Sequence, residues 1–166
     1  MNKIQLVSEG VLVLASSKGL IAEYQNKEFD YNFPEGIKNV LYNNAIICLH
    51  TPDGDNLIID ELENIEFVKQ KYDRIIEQYI EFDIDDELLI ISHADFTMLC
   101  DKGGDYTKYG WPIEKLKIPD SGSYKISIGV KNVSDKFEKY SAYFLLTLSI
   151  DKFYGDFNRN TVIEIV

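Results

Sequence analysis

The chain has 166 residues, 45% of them hydrophobic. That is enough to bury a core as one domain spanning residues 1–166, and too apolar for a disordered chain. Its net charge of −11 repels nucleic acid and acidic membrane surfaces and attracts basic proteins. No run reaches the roughly 18 apolar residues of a membrane span, and the N-terminal IQLVSEG is too short and, at Glu9, too acidic for a secretory signal; the expected compartment is the cytoplasm.

Ile4 to Ala15 reads as two short strands, or one strand kinked at Gly10. Ser16 to Gly19 looks like a hairpin turn and Leu20 to Tyr24 its second arm. NKEFDYNFPEG has loop chemistry with aromatic anchors. IKNVLYNNAIICLHT and LIIDELE flank Pro52-Asp53-Gly54-Asp55-Asn56, a hairpin signal. From Asn64 to Ile80 two periods compete. Val68, Tyr72, Ile75, Ile76 and Tyr79 fit helical spacing, while Ile76 to Ile84 alternates like a strand. Continued alternation through Phe82 and Ile84 places a strand from about Arg74, preceded by a loop or short helix.

ELLIISHADF and TMLCD read as successive strands or one bent strand, and KGGDYTKYG as a loop. After LKI comes the turn Pro119-Asp120-Ser121-Gly122. SYKISIGVKN alternates cleanly, with Tyr124, Ile126, Ile128 and Val130 on one face. YSAYFLLTLSI predicts a central strand, and the tail a final short one. The sum is a mostly β fold, a single-domain antiparallel β-sandwich with at most one or two short helices. A curled sheet or half-barrel is the alternative.

The stretch RIIEQYIEFDIDDEL (74–88) concentrates the chemistry. Its even positions Ile76, Gln78, Ile80, Phe82 and Ile84 are mostly apolar. Its odd positions Glu77, Tyr79, Glu81, Asp83, Asp85 and Glu87 carry five carboxylates and one tyrosine. A strand sends these sets to opposite faces, so the carboxylates would form a line about 33–34 Å long. They lie in the window Asp53 to Asp95, which holds 14 acidic and 3 basic residues, against 14 of each elsewhere. Such a line partly imitates a nucleic-acid strand and could occupy the basic groove of a nuclease, with Tyr79 as an aromatic anchor. These six residues are the candidate partner-binding site. Surface acids also serve solubility alone, and the sequence weighs the two readings about equally.

No enzymatic motif competes: there is no P-loop, G-x-S-x-G, H-E-x-x-H or paired C-x-x-C. No catalytic residue, metal site or cofactor is therefore expected. His50 and His93, each near a carboxylate (Asp53, Asp95), are better read as surface or satisfied histidines than as metal ligands. Cys48 and Cys100 lie in apolar runs and read as buried thiols. Asp53 to Asn56 fails the EF-hand spacing, since Leu57 and Ile58 fall at its fifth and sixth positions. The acidic strand lacks the Trp-rich cleft of a glycosidase.

Three features in order, YIEFDIDDELLIIS, LKIPDSGSYKISIGV and YSAYFLLTLSI, resemble the small acidic inhibitors of the DNA-entry nuclease of competent bacilli, a family related to bacterial immunity-type β-sandwich proteins. The most specific part is Ile118, Pro119, Gly122, Tyr124 and Ile126. The chain has extra sequence at Ile65 to Asp73 and Lys102 to Gly110. The resemblance implies a nuclease inhibitor or toxin-immunity protein; it supplies no site residues.

The sequence therefore predicts a non-enzymatic module that neutralises a basic partner, a nuclease or toxin, and binds neither nucleic acid nor membrane. The alternative is a small-ligand or carbohydrate-binding sandwich using Tyr106, Tyr109 and Trp111. A hydrolase built on His93 and Asp95 comes third.

Overall fold

The structure is a computed structural model and describes residues 4–7, 9–51, 56–60, 71–134 and 142–165. Two five-stranded sheets carry the fold. The first contains β1 (Ile4–Val7), β4 (Asn56–Asp60), β9 (Ala142–Lys152), β8 (Gly122–Ser134) and β5 (Arg74–Phe82), in that order across the sheet. The second contains β10 (Ile163–Glu164), β3 (Ile46–His50), β2 (Val11–Ser16), β6 (Glu87–Ser92) and β7 (Glu114–Lys117). The mostly β sandwich expected from the strand patterns is what the chain forms.

Alternation explains how the sheets meet. Tyr124, Ile126, Ile128 and Val130 of β8 join Leu146 and Leu148 of β9 and Ile76, Ile80 and Phe82 of β5. They pack against Leu12, Leu14, Ile47, Leu49, Leu88 and Ile90 of the second sheet. The second sheet is buried on its other face too. There Val11, Val13, Ala15, Ile46, Cys48, Leu89 and Ile91 meet a helical layer. Burial on both faces is why VLVLA, IICL and LLII are unbroken apolar runs, whereas β5 and β8 alternate.

The helical layer departs from expectation. Three α-helices occur among the described residues: α1 (Ser17–Tyr24), α2 (Lys38–Tyr42) and α3 (His93–Asp101). The Ser16-to-Gly19 segment is a helix start and not a hairpin turn, because Ser16 accepts from the Gly19 N–H and caps α1. Likewise TMLCD lies in α3, capped by Ser92, which accepts from the Asp95 N–H. That helix buries Phe96, Leu99 and Cys100, a helical i, i+3, i+4 set.

Two strand pairs, β4–β9 and β10–β3, are parallel; the other pairs are antiparallel. Parallel neighbours need long crossovers, and in both pairs the strands are far apart in sequence. The hairpin expected at 52–56 is also corrected. Residues 52–55 lie outside the described residues, but β3 and β4 belong to different sheets and do not pair. No helix among the described residues is long and apolar enough to cross a membrane.

Candidate protein-binding site

The strand predicted from Arg74 is β5, which among the described residues is an edge strand of the first sheet paired to β8 alone. Its even positions Ile76, Ile80 and Phe82 are buried and its odd positions Glu77 and Glu81 are exposed. The alternation ends at Phe82, and with it the straight line of carboxylates. Asp83 to Asp86 form a turn in which Asp85 takes φ 54°, a left-handed conformation that a short polar side chain tolerates. Glu87 then opens β6 in the opposite sheet. The six candidate residues therefore divide three ways. Glu77, Tyr79 and Glu81 lie on the outer face of β5, Asp83 and Asp85 on the turn, and Glu87 on the second sheet.

Their electrostatic surroundings differ as well. Glu77 is 3.4 Å from Lys125. Glu87 is 3.6 Å from Lys115 and accepts from the Tyr106 hydroxyl. The Lys115 pKa is raised, first by its hydrogen bond to Tyr106 and further by the charge of Glu87. Tyr79 packs against both Phe153 and Phe157, with ring centroids 5.0 Å from each and 6.3 Å between the two Phe rings, a three-ring cluster. Among the described residues, Glu81 accepts only from the Ser123 hydroxyl, at 3.0 Å. Glu81, Asp83 and Asp85 have no ion-pair partner among the described residues. The uncompensated charge therefore gathers at the end of β5 and on the turn.

The turn is held from beneath by Asp86, which is fully buried. Its Oδ2 accepts from the Ser16 hydroxyl at 2.6 Å and the Asp83 N–H at 3.1 Å. Its Oδ1 accepts from the Ser17 hydroxyl at 2.8 Å, the Lys18 N–H at 3.1 Å and the Glu87 N–H at 2.8 Å. From outside, Lys18 Nζ donates to the Ile84 carbonyl at 2.5 Å. The start of α1 and the turn are thus one unit. Ile84 stands on this turn 62% exposed, between two exposed carboxylates.

Sequence reasoning passed over Asp86 and misplaced Ile84. Both have the parity of the apolar face, but the strand stops two residues before Ile84. A readable signal was the Ser16-Ser17 pair with Gly19, a helix start that needs a partner for its hydroxyls and N–H groups.

The edge of β5 is closed by the tail. Asn160 Oδ1 accepts from the Tyr79 N–H at 3.1 Å, and its Nδ2 donates to the carbonyls of Tyr79 at 2.6 Å and Ile46 at 2.8 Å. The Glu81 N–H donates to the Asn44 carbonyl at 3.0 Å.

The residues of the other readings are placed differently. His50 Nδ1 lies 2.7 Å from Glu164, and both His50 and His93 pack on the Phe33 ring. No group of three metal-binding side chains assembles among the described residues. Ser92-His-Ala-Asp95 is a helix cap, with Asp95 also accepting from the Tyr109 hydroxyl at 2.7 Å. Burial and that bond push the Tyr109 pKa up to about 12. Tyr106 and Tyr109 are packed on the helical-layer core and their hydroxyls bind carboxylates, while Trp111 is 71% exposed. These three rings do not present one open aromatic platform.

No family model matches the chain, and no curated protein matches it. Among solved structures it is similar to ComJ, the inhibitor of the DNA degrading activity of NucA, from Bacillus subtilis. The identity is 10% and the TM-score 0.47, over 90% of this chain and 95% of that one.

Proposed function

We propose that this chain is a non-enzymatic, cytoplasmic inhibitor or immunity protein that binds a basic partner, a nuclease or a toxin, through the end of β5 and the turn that follows. One observation carries the reading. Glu81 at the end of β5 and Asp83 and Asp85 around the exposed Ile84 have no ion-pair partner among the described residues, and the turn is fixed by the five hydrogen bonds of Asp86. A fixed turn loses little conformational freedom on binding, so its contacts are expressed more fully as affinity. Unpaired carboxylates speed the capture of a basic protein and reject acidic ones. An apolar side chain among them supplies the desolvated contact that charges alone lack. Glu77 and Glu87 sit at the margins and are already paired. Tyr79 serves by holding the tail and not as a free anchor. The choice of a DNA-degrading partner follows the sequence resemblance.

The test searches the neighbouring genes for a basic nuclease and assays its DNA degradation with and without the chain. The expected result is inhibition that weakens with added salt and is lost in the Glu81→Lys, Asp83→Lys double variant while circular dichroism stays unchanged. Full inhibition by that folded variant would sink the proposed site.

A further inference from the structure

The geometry points to an arginine side chain of the partner as the occupant of the groove between α1 and the acidic turn. This inference rests on the inhibitor reading and adds to it the residue type recognised and the place that receives it. The groove has a volume of about 290 Å³. Ser16, Lys18, Gly19 and Ala22 form its helix wall; Glu81, Phe82, Asp83 and Asp86 form the opposite wall.

Ala22 keeps the helix wall low. Gly19 cannot be larger, since a Cβ there would lie 2.9 Å from the Ala45 methyl group. Phe82 contributes apolar surface below. An aliphatic stem can therefore lie along Ala22 and Phe82 while its head stays at the polar rim. On that rim Glu81 and Asp83 have no ion-pair partner among the described residues. The groove's own cation, Lys18, donates its ammonium to the Ile84 carbonyl and makes no ion pair with either carboxylate. Asp86 has its acceptors filled by Ser16, Ser17 and three backbone N–H groups, so it holds the wall and leaves the head group to Glu81 and Asp83.

Charge complementarity selects a cation, and two carboxylates on one rim select arginine over lysine. The guanidinium presents five donors in a planar fork that can serve both, whereas an ammonium is a compact point charge. The Ile84 carbonyl is tied to the helix wall through Lys18, which fixes the turn beside the groove.

The experiment titrates the ¹⁵N-labelled full-length chain with N-acetyl-arginine methylamide and, separately, with its uncharged citrulline counterpart. The expected result is saturable amide shifts at Gly19, Ala22 and Asp83 with the arginine probe only. They should be lost in Ala22→Trp, which fills the groove without changing charge. Ala22→Leu, a milder filling, should weaken the same shifts. Shifts that spread over all exposed carboxylates, or that persist in a folded Ala22→Trp, would overturn the groove. In the nuclease assay the two ideas separate. If Ala22→Trp inhibits like the parent while Glu81→Lys, Asp83→Lys does not, the groove inference fails and the inhibitor reading stands. If the charge-reversed double variant still inhibits, the proposed site falls and the groove with it.

Discussion

At the scale of single residues, Asp86 decides whether the acidic turn has a shape. Five donors converge on one buried carboxylate. Asn at this position keeps the volume but replaces one acceptor oxygen by a donor. Even with the amide nitrogen on the less loaded side, the Ser16 hydroxyl and the Asp83 N–H would then face a group that cannot accept from them. Hydrogen bonds to a charged acceptor contribute about 1.5–3 kcal/mol each, and donors left buried cost comparably. Asp86→Asn is therefore expected to lower unfolding free energy by about 3 kcal/mol, measured by urea denaturation. A loss within about 0.5 kcal/mol, the ordinary range for a surface substitution, would show that the turn does not depend on this residue.

The buried thiols and phenols act differently, through pH. Burial pushes the Cys48 thiol from 9.0 up to about 12, and raises Cys100 and Tyr24 as well. With Tyr109 at about 12, the folded chain holds these protons more tightly than the unfolded chain. The stability this contributes is full below the unfolded values of 9.0 and 10.0 and is lost as pH rises through about 12. The melting temperature should be level near neutrality and fall steadily above about pH 9. A melting temperature unchanged up to pH 12 would contradict the burial of these groups. Native Cys48 and Cys100 should also resist thiol reagents at neutral pH, since the thiolate is the reactive form.

At the scale of elements, the edge of β5 is closed by Asn160 together with the bond from the Glu81 N–H to the Asn44 carbonyl. An unpaired strand edge is a template for pairing with other chains. Asn160 fills the place of a neighbouring strand by bonding both the N–H and the carbonyl of Tyr79, and it reaches Ile46 in the second sheet. Phe153 and Phe157 on Tyr79 hold the tail in position. Asn160→Ala should cost about 1–3 kcal/mol and increase concentration-dependent association, seen by light scattering. A variant that is both as stable and as monomeric as the parent would remove the edge-closing role.

The same elements show what could be read in advance. β5, β8 and β9 were readable because hydrophobicity alternates, or runs unbroken, over nine or more residues. α1 and α3 were not, because each is short and follows directly on an apolar strand, so VLVLAS and ELLIIS ran on into them. Their caps carried the missing information. Ser92 with Asp95 three residues later is a helix-start pattern, masked by the apolar strand-like run that it follows. The acidic site was half readable. Parity placed Glu77 and Glu81 correctly on the outer face of β5, but parity holds only while a strand lasts. Where β5 ends, at Phe82, is set by the long-range contact of Asp86 with Ser16 and Ser17, which no local pattern contains.

At the scale of the whole molecule, two explanations of partner binding must be separated: net charge and placed charge. A chain at −11 attracts any basic protein, and salt weakens that attraction whatever the site. Salt dependence alone therefore does not locate the interface. Reversing two carboxylates at the turn can be matched by reversing two elsewhere. Glu114 on β7 and Asp120 before β8 are exposed. Glu114→Lys with Asp120→Lys changes the net charge as much as Glu81→Lys with Asp83→Lys does. If field strength governs, both double variants slow association equally, because long-range steering depends mainly on total charge and its sign. If the turn is the interface, the Glu114/Asp120 variant should lose association rate only. The Glu81/Asp83 variant should also dissociate at least about tenfold faster, the effect of losing about 1.4 kcal/mol of direct contact. Surface-based binding kinetics with the basic partner at two salt concentrations distinguish these outcomes. Equal dissociation rates for the two variants would reduce the acidic turn to a contributor to solubility and steering.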